Sequence, residues 1–122
     1  MIDRVQFSTG PAVGANGSAT ATAYSPHVSG QVLAAKVEYV DTPPAGTTLF
    51  DLYDENLPDE SIVDLGPAAT DLVIYPRRLA QDSADNDLTG WYTPYVVHGR
   101  LVATIAEANA NDSVTVTVWV QR

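Results

Sequence analysis

Ser113-Val114-Thr115-Val116-Thr117-Val118-Trp119-Val120-Gln121 alternates from end to end. In an extended chain, Val114, Val116, Val118 and Val120 fall on one side. Ser113, Thr115, Thr117, Trp119 and Gln121 fall on the other. A helix would scatter the valines around its axis. β-Branched side chains also fit a pleated, half-buried surface better than a helix. The stretch therefore reads as a strand with four valines turned to a core.

Working outward, Tyr95 to Ala106 repeats the pattern, with Val97, Leu101, Ala103 and Ile105 opposed to His98, Arg100 and Thr104. Val28 to Val40 is the third long candidate. Leu33, Ala35, Val37 and Tyr39 share one parity, and Val32, Ala34, Lys36 and Glu38 share the other, more polar one. Shorter candidates are Arg4 to Thr9 as an edge strand, Ser18 to Tyr24, Thr47 to Tyr53, and Asp71 to Tyr75, which stops at Pro76. Asp59 to Leu65 leaves room for one short helix. Turn residues separate these runs: Gly10-Pro11, Asn16-Gly17, Ser25-Pro26, Pro43-Pro44-Ala45-Gly46, Gly66-Pro67 and Asn109 to Asp112. The expectation is an all-β fold. It is a single-domain antiparallel β-sandwich or small barrel of about seven strands, spanning residues 1–122, with at most one short helix.

Composition narrows the function. Hydrophobic residues make up 45% of the 122 positions and charged residues 17%, enough for one core and too little charge for a disordered chain. There is no cysteine, so disulfides, thiolate metal sites and a cysteine nucleophile are excluded. Fifteen acidic against 6 basic residues give a formal net charge of -9. A polyanion is repelled at long range, so no nucleic-acid partner is expected. Met1-Ile2-Asp3-Arg4 carries no signal-peptide pattern, and no apolar run approaches a membrane span of about 20 residues. A soluble chain made in the cytoplasm, without a membrane partner, is the expectation.

Candidate chemistry is sparse. His27 and His98 lie in different segments, with no second ligand at a metal-type spacing. The acidic run Asp51, Asp54, Glu55, Asp59, Glu60 and Asp64 reads as a solvated loop after a strand. Asp85, Asp87, Thr89 and Gly90 match the front half of a calcium loop, but Val96 stands where the closing glutamate belongs. Asp85, Asp87 and Thr89 are thus weak metal candidates, and a polar hairpin loop competes with that reading. No nucleophile, base and orienting group can be named together, so neither catalysis nor a cofactor is expected. Two features suit an interface instead. Tyr75-Pro76-Arg77-Arg78 holds the only adjacent basic pair, which either bridges to carboxylates or lies solvated. Trp91, Tyr92 and Tyr95 form an aromatic cluster that either anchors a partner or plugs the end of a sandwich.

Three pieces carry a resemblance. They are Val28 to Tyr39; the strand ending in Tyr75-Pro76-Arg77-Arg78 with the Asp- and Gly-containing loop through Asp82 and Gly90; and the paired finish Gly99 to Ile105 and Val114 to Val120. In this order they resemble small β-rich head proteins of tailed bacteriophages, in particular capsid decoration (cement) proteins. The resemblance implies a virion structural protein, assembled in the host cytoplasm and placed on the capsid exterior. Its partners would be the major capsid protein and copies of itself, commonly as a homotrimer. Tyr75, Arg77, Arg78, Trp91, Tyr92 and Tyr95 are then the first interface candidates. The alternative is a carbohydrate- or receptor-binding β module of a phage tail or fibre, with Trp91, Tyr92 and Tyr95 stacking on sugar rings.

Overall fold

The computed structural model describes residues 1–40 and 45–122. Among the described residues nine strands run in chain order: β1 (Ile2–Ser8), β2 (Ala19–Val40), β3 (Leu49–Asp54), β4 (Ser61–Leu65), β5 (Leu72–Ile74), β6 (Arg78–Gln81), β7 (Asp87–Thr93), β8 (Val96–Ala108) and β9 (Ser113–Gln121). Every strand pairing is antiparallel. The fold is an all-β sandwich. No helix forms among the described residues, and the short helix allowed for Asp59 to Leu65 is a strand instead, with Ile62 and Val63 buried. Ser61-Ile62-Val63-Asp64-Leu65 is too short to nucleate a helix by itself, and its β-branched pair Ile62-Val63 favours pairing with β3.

β2 makes the sandwich. Its first half, up to Gln31, pairs with β8, and its second half, from Gln31, pairs with β9. One 22-residue strand therefore belongs to two wings. One wing is β1-β9-β2-β5; the other is β2-β8-β3-β4. The crossing point is Gly30, at φ +140, where an added Cβ would collide with the carbonyl of Gln121. A glycine is needed because the end of β9 passes too close for a side chain.

The wings close on one core. Val114, Val116, Val118 and Val120 are buried on β9, as the alternation requires, against Val32, Ala35 and Val37 of β2 and Phe50, Leu52, Val97, Leu101 and Ile105 of the other wing. Val97, Leu101, Ala103 and Ile105 take the inward side of β8, while His98 and Arg100 are exposed. One face assignment is corrected. A bulge between Val32 and Ala34 leaves Leu33 outside the ladder, so Val32 is fully buried and Leu33 only half-buried. An extra residue reverses parity, and strict alternation across it fails.

Ser25-Pro26, expected as a turn, is also a bulge inside β2, between the pairs Tyr24↔Val102 and His27↔Arg100. Pro26 has no N–H to give the ladder, and opposite the bulge the Leu101 N–H donates to the buried Ser25 Oγ, at 2.8 Å. The other turns fall where expected, including the β8–β9 connection at Asn109 to Asp112. Pro43-Pro44 lies outside the described residues.

Candidate functional site

β6 and β7 form a separate two-stranded sheet, an arm apart from the sandwich. The Asp-rich segment is its tip. Asp82 organises the turn: its Oδ1 accepts from Ala84 N at 2.8 Å and Asn86 N at 2.9 Å, and Asn86 Nδ2 donates to Oδ2 at 3.2 Å. These bonds, led by that from the Asn86 N–H, hold the Asp82 carboxyl below the usual carboxylate range. Asp85 takes a positive φ of 68, which aspartate tolerates in tight turns. Asp87 accepts from Gln81 Nε2 across the hairpin, and Thr89 lies within β7. The spacing that resembled half a calcium loop is thus hairpin geometry keyed on Asp82. Among the described residues, no group of three His, Cys, Asp or Glu is placed to hold a metal.

Of the aromatic candidates, Tyr75 is 68% exposed, Trp91 71% and Tyr92 65%. Tyr95 is half-buried and packs against the core. Trp91 and Tyr92 are neighbours in one strand, so their rings leave from opposite faces of the arm. The arginine pair divides. Arg77 is exposed and donates to its neighbour's carbonyl, Pro76 O, at 2.8 Å. Arg78 is partly covered and braces the arm, donating to Gln81 Oε1 at 3.0 Å and lying 3.5 Å from Glu60 Oε1. Where the arm meets the β3–β4 connection, a groove of about 410 Å³ opens. Ile62, Leu79, Tyr95 and Val97 contribute to its apolar lining, with Asp54, Glu60 and Arg78 its charged residues.

A second cluster lies on the solvent face of β2, β8 and β3, and the sequence reading missed it. The register puts Tyr24, Val102 and Tyr53 abreast on three strands, and Val102 is buried although it faces outward. Beside them Arg100 lies 4.5 Å from the centre of the Tyr24 ring. It also grips Glu55, with Nε and Nη2 both donating to Oε2, at 3.0 and 2.8 Å. That grip lowers the Glu55 pKa and raises that of Arg100. His27 and His98, read as unrelated, stand side by side, with ring centres 5.0 Å apart. Ser29 Oγ is 3.2 Å from His98 Nδ1. Asp54 bonds the His98 backbone N–H and not its ring, and Glu55 is held by Arg100, so this is not a serine–histidine–acid relay.

The acidic run is therefore not one solvated loop. Asp54 is buried and caps two backbone N–H groups, of Asn56 at 3.0 Å and His98 at 2.8 Å. Glu55 pairs with Arg100 and Glu60 with Arg78. Only the cross-strand partners, distant in sequence, distinguish these roles.

No family model matches the chain, and no curated protein matches it. Among solved structures, it is similar to a variant of CBM29-2, a family 29 carbohydrate-binding module, with 9% identity over 98% of this chain and 81% of that one and a TM-score of 0.40. It is also similar to the C-terminal CBM6 of LamC, a marine laminarinase from Zobellia galactanivorans. There the identity is 6% over 99% of this chain and 100% of that one, with a TM-score of 0.40. A CBM4 structure follows at 10% identity over 93% and 89%, with a TM-score of 0.32. At this degree of likeness, the description of the fold rests on the strands themselves.

Proposed function

We propose that this chain is a non-catalytic assembly module, a virion component of the capsid-decoration kind that its sequence resembles, which docks on its partner through the β6–β7 arm. The observation that carries the reading is an arm with an exposed aromatic ring on each face, Trp91 on one and Tyr92 on the other. A lone two-stranded hairpin is marginal in water, and exposed aromatic surface of this kind gains most when a partner covers it. Rings on both faces suit an arm clasped between protein surfaces better than one that lays a flat platform on a single sugar. Arg77 adds an exposed positive charge at the base of the arm, useful to a domain of net charge -9 that meets an acidic neighbour. The test is co-sedimentation of purified domain with capsid shells lacking it. Binding that disappears in Trp91→Ser/Tyr92→Ser, while the fold persists, supports docking by the arm. Failure of the unaltered domain to bind shells overturns the virion reading.

The carbohydrate reading is favoured by a different observation, the Tyr24–Val102–Tyr53 row with Arg100 and Glu55 fixed beside it. Rings on one sheet face, flanked by locked polar groups, can stack on a sugar and bond its hydroxyls. Binding on a glycan array that is lost in Tyr24→Ala and kept in Trp91→Ser would select this face over the arm.

A further inference from the structure

The bulge at Ser25-Pro26 has a consequence for His27. Tyr24 points outward, so unbroken alternation would turn residue 27 toward the core. Ser25 and Pro26 together stand opposite Leu101, and that one extra residue reverses the parity and sets His27 on the solvent face, in register with Arg100. His98 is on the same face of β8, two pairs further along, opposite Ser29. The rings meet at a centroid distance of 5.0 Å with their planes at 89°.

His98 is held unusually firmly for an exposed residue. Its backbone N–H donates to buried Asp54 at 2.8 Å, and its carbonyl accepts from Asn56 Nδ2 at 2.8 Å. Gly99 makes room for that clamp, since a Cβ there would lie 2.5 Å from Asn56 Nδ2 and 2.9 Å from Asp54 Oδ1. Ser29 Oγ meets the ring at Nδ1. With the hydroxyl accepting from Nδ1–H, Nε2 keeps its lone pair free, the same device by which outer partners set the tautomer of metal-binding histidines.

We propose that His27 and His98 form a two-imidazole site for a borderline divalent transition ion, of the Zn²⁺, Ni²⁺ or Cu²⁺ class. An ion that takes one nitrogen from each of two rings at tetrahedral angles holds the ring centres about 5 Å apart. Neutral imidazole suits these ions and not Ca²⁺ or Mg²⁺, which prefer oxygen. Glu55 is engaged by Arg100, so the chain supplies two ligands and leaves the remaining positions to water or to a partner's side chain.

The experiment is calorimetric titration of metal-free protein with Zn²⁺, Ni²⁺ and Cu²⁺, with the imidazole resonances followed by NMR. The expected result is one ion per chain, both rings perturbed together, the tightest binding for Cu²⁺, and no competition from millimolar Ca²⁺. His27→Ala and His98→Ala should each weaken binding by about tenfold or more, and Ser29→Ala by less, all with unchanged melting temperature. Two results overturn the site: no shift of either imidazole at equimolar ion, or equal binding in both histidine variants. The second would mean that the acidic surface collects the metal.

Discussion

The sandwich and the β6–β7 arm use the same secondary structure and invert its burial. On β9, every second residue is a fully buried valine. On β7, six of seven residues are exposed, Leu88, Trp91 and Tyr92 among them. Alternation in the sequence thus reports a core on one side of a strand, not strandness itself. A ribbon with no core on either face leaves no such mark. The sandwich is where stability resides; the arm has spare apolar surface and little to lose by being altered. The contrast is the physical basis for expecting core substitutions to cost stability and arm substitutions to spare it.

The variant that breaks the contrast most sharply is Val116→Asp. Val116 is completely buried between β1 and β2 on the inward face. An unpaired carboxylate there costs about 4 kcal/mol or more, a large part of the stability of a domain this size. The expected outcome is an unfolded or grossly destabilised protein by circular dichroism. An ordinary melting curve would place the core elsewhere. Gly30→Val comes next. Its side chain would strike the Gln121 carbonyl and hold a β-branched residue at φ +140, at a cost of about 2–4 kcal/mol. Gly66→Ala is the matched control, with nothing within 4 Å of the added carbon, and should stay within about 0.5 kcal/mol of the parent. Equal midpoints in urea for the two variants would mean that β2 does not need to turn at Gly30.

What could be read in advance follows the same division. β9 and β8 were legible because their inward residues are apolar throughout, and the β8–β9 turn because Asn109 to Asp112 is turn chemistry. β2 was read as two strands, since Ser25-Pro26 looks like a turn and no residue in it announces a bulge. Parity puts Leu33 on the inward side for a related reason: a bulge reverses parity and leaves no local mark. Gly30 was the visible hint, an isolated glycine in a strand pattern. At the candidate sites, Trp91, Tyr92 and Tyr75 are exposed, whereas Tyr95 packs against the core, and no local pattern separates them. The His27–His98 pair and the Glu55–Arg100 grip were invisible. Each depends on which strand lies beside which, and the order β2-β8-β3 is a property of topology rather than of local sequence.

Removing the arm's rings sharpens the comparison from the other side. Trp91→Ser/Tyr92→Ser should change sandwich stability by no more than about 0.5 kcal/mol, because both side chains are mostly in water already. Leu101→Ala deletes a smaller amount of apolar surface from a fully buried position and should cost about 2–5 kcal/mol. Chemical denaturation of the two proteins side by side measures the difference. A double variant as damaging as Leu101→Ala would show that the arm is part of the core after all.

The smallest effect concerns the tip of the arm and is set by pH. Asp82 accepts from the Asn86 and Ala84 N–H groups, and these bonds favour its charged form. Its folded pKa is therefore depressed. The contribution of this carboxylate is complete above the ordinary aspartate value of about 4 and is lost as pH falls through the lowered one. From pH 7 to 5 the Ala84 and Asn86 amide resonances should hold still; at more acid pH they should move together toward unstructured positions. Asp82→Ala should produce that displacement at neutral pH. Because the tip is solvated, the melting temperature of the sandwich should stay with the parent in both cases. Amides that move between pH 7 and 5, or a tip that keeps its shifts in Asp82→Ala, would mean that the turn is held by its backbone bonds, Asp82 N–H to Asn86 O and Asp85 N–H to Asp82 O, and not by the side chain.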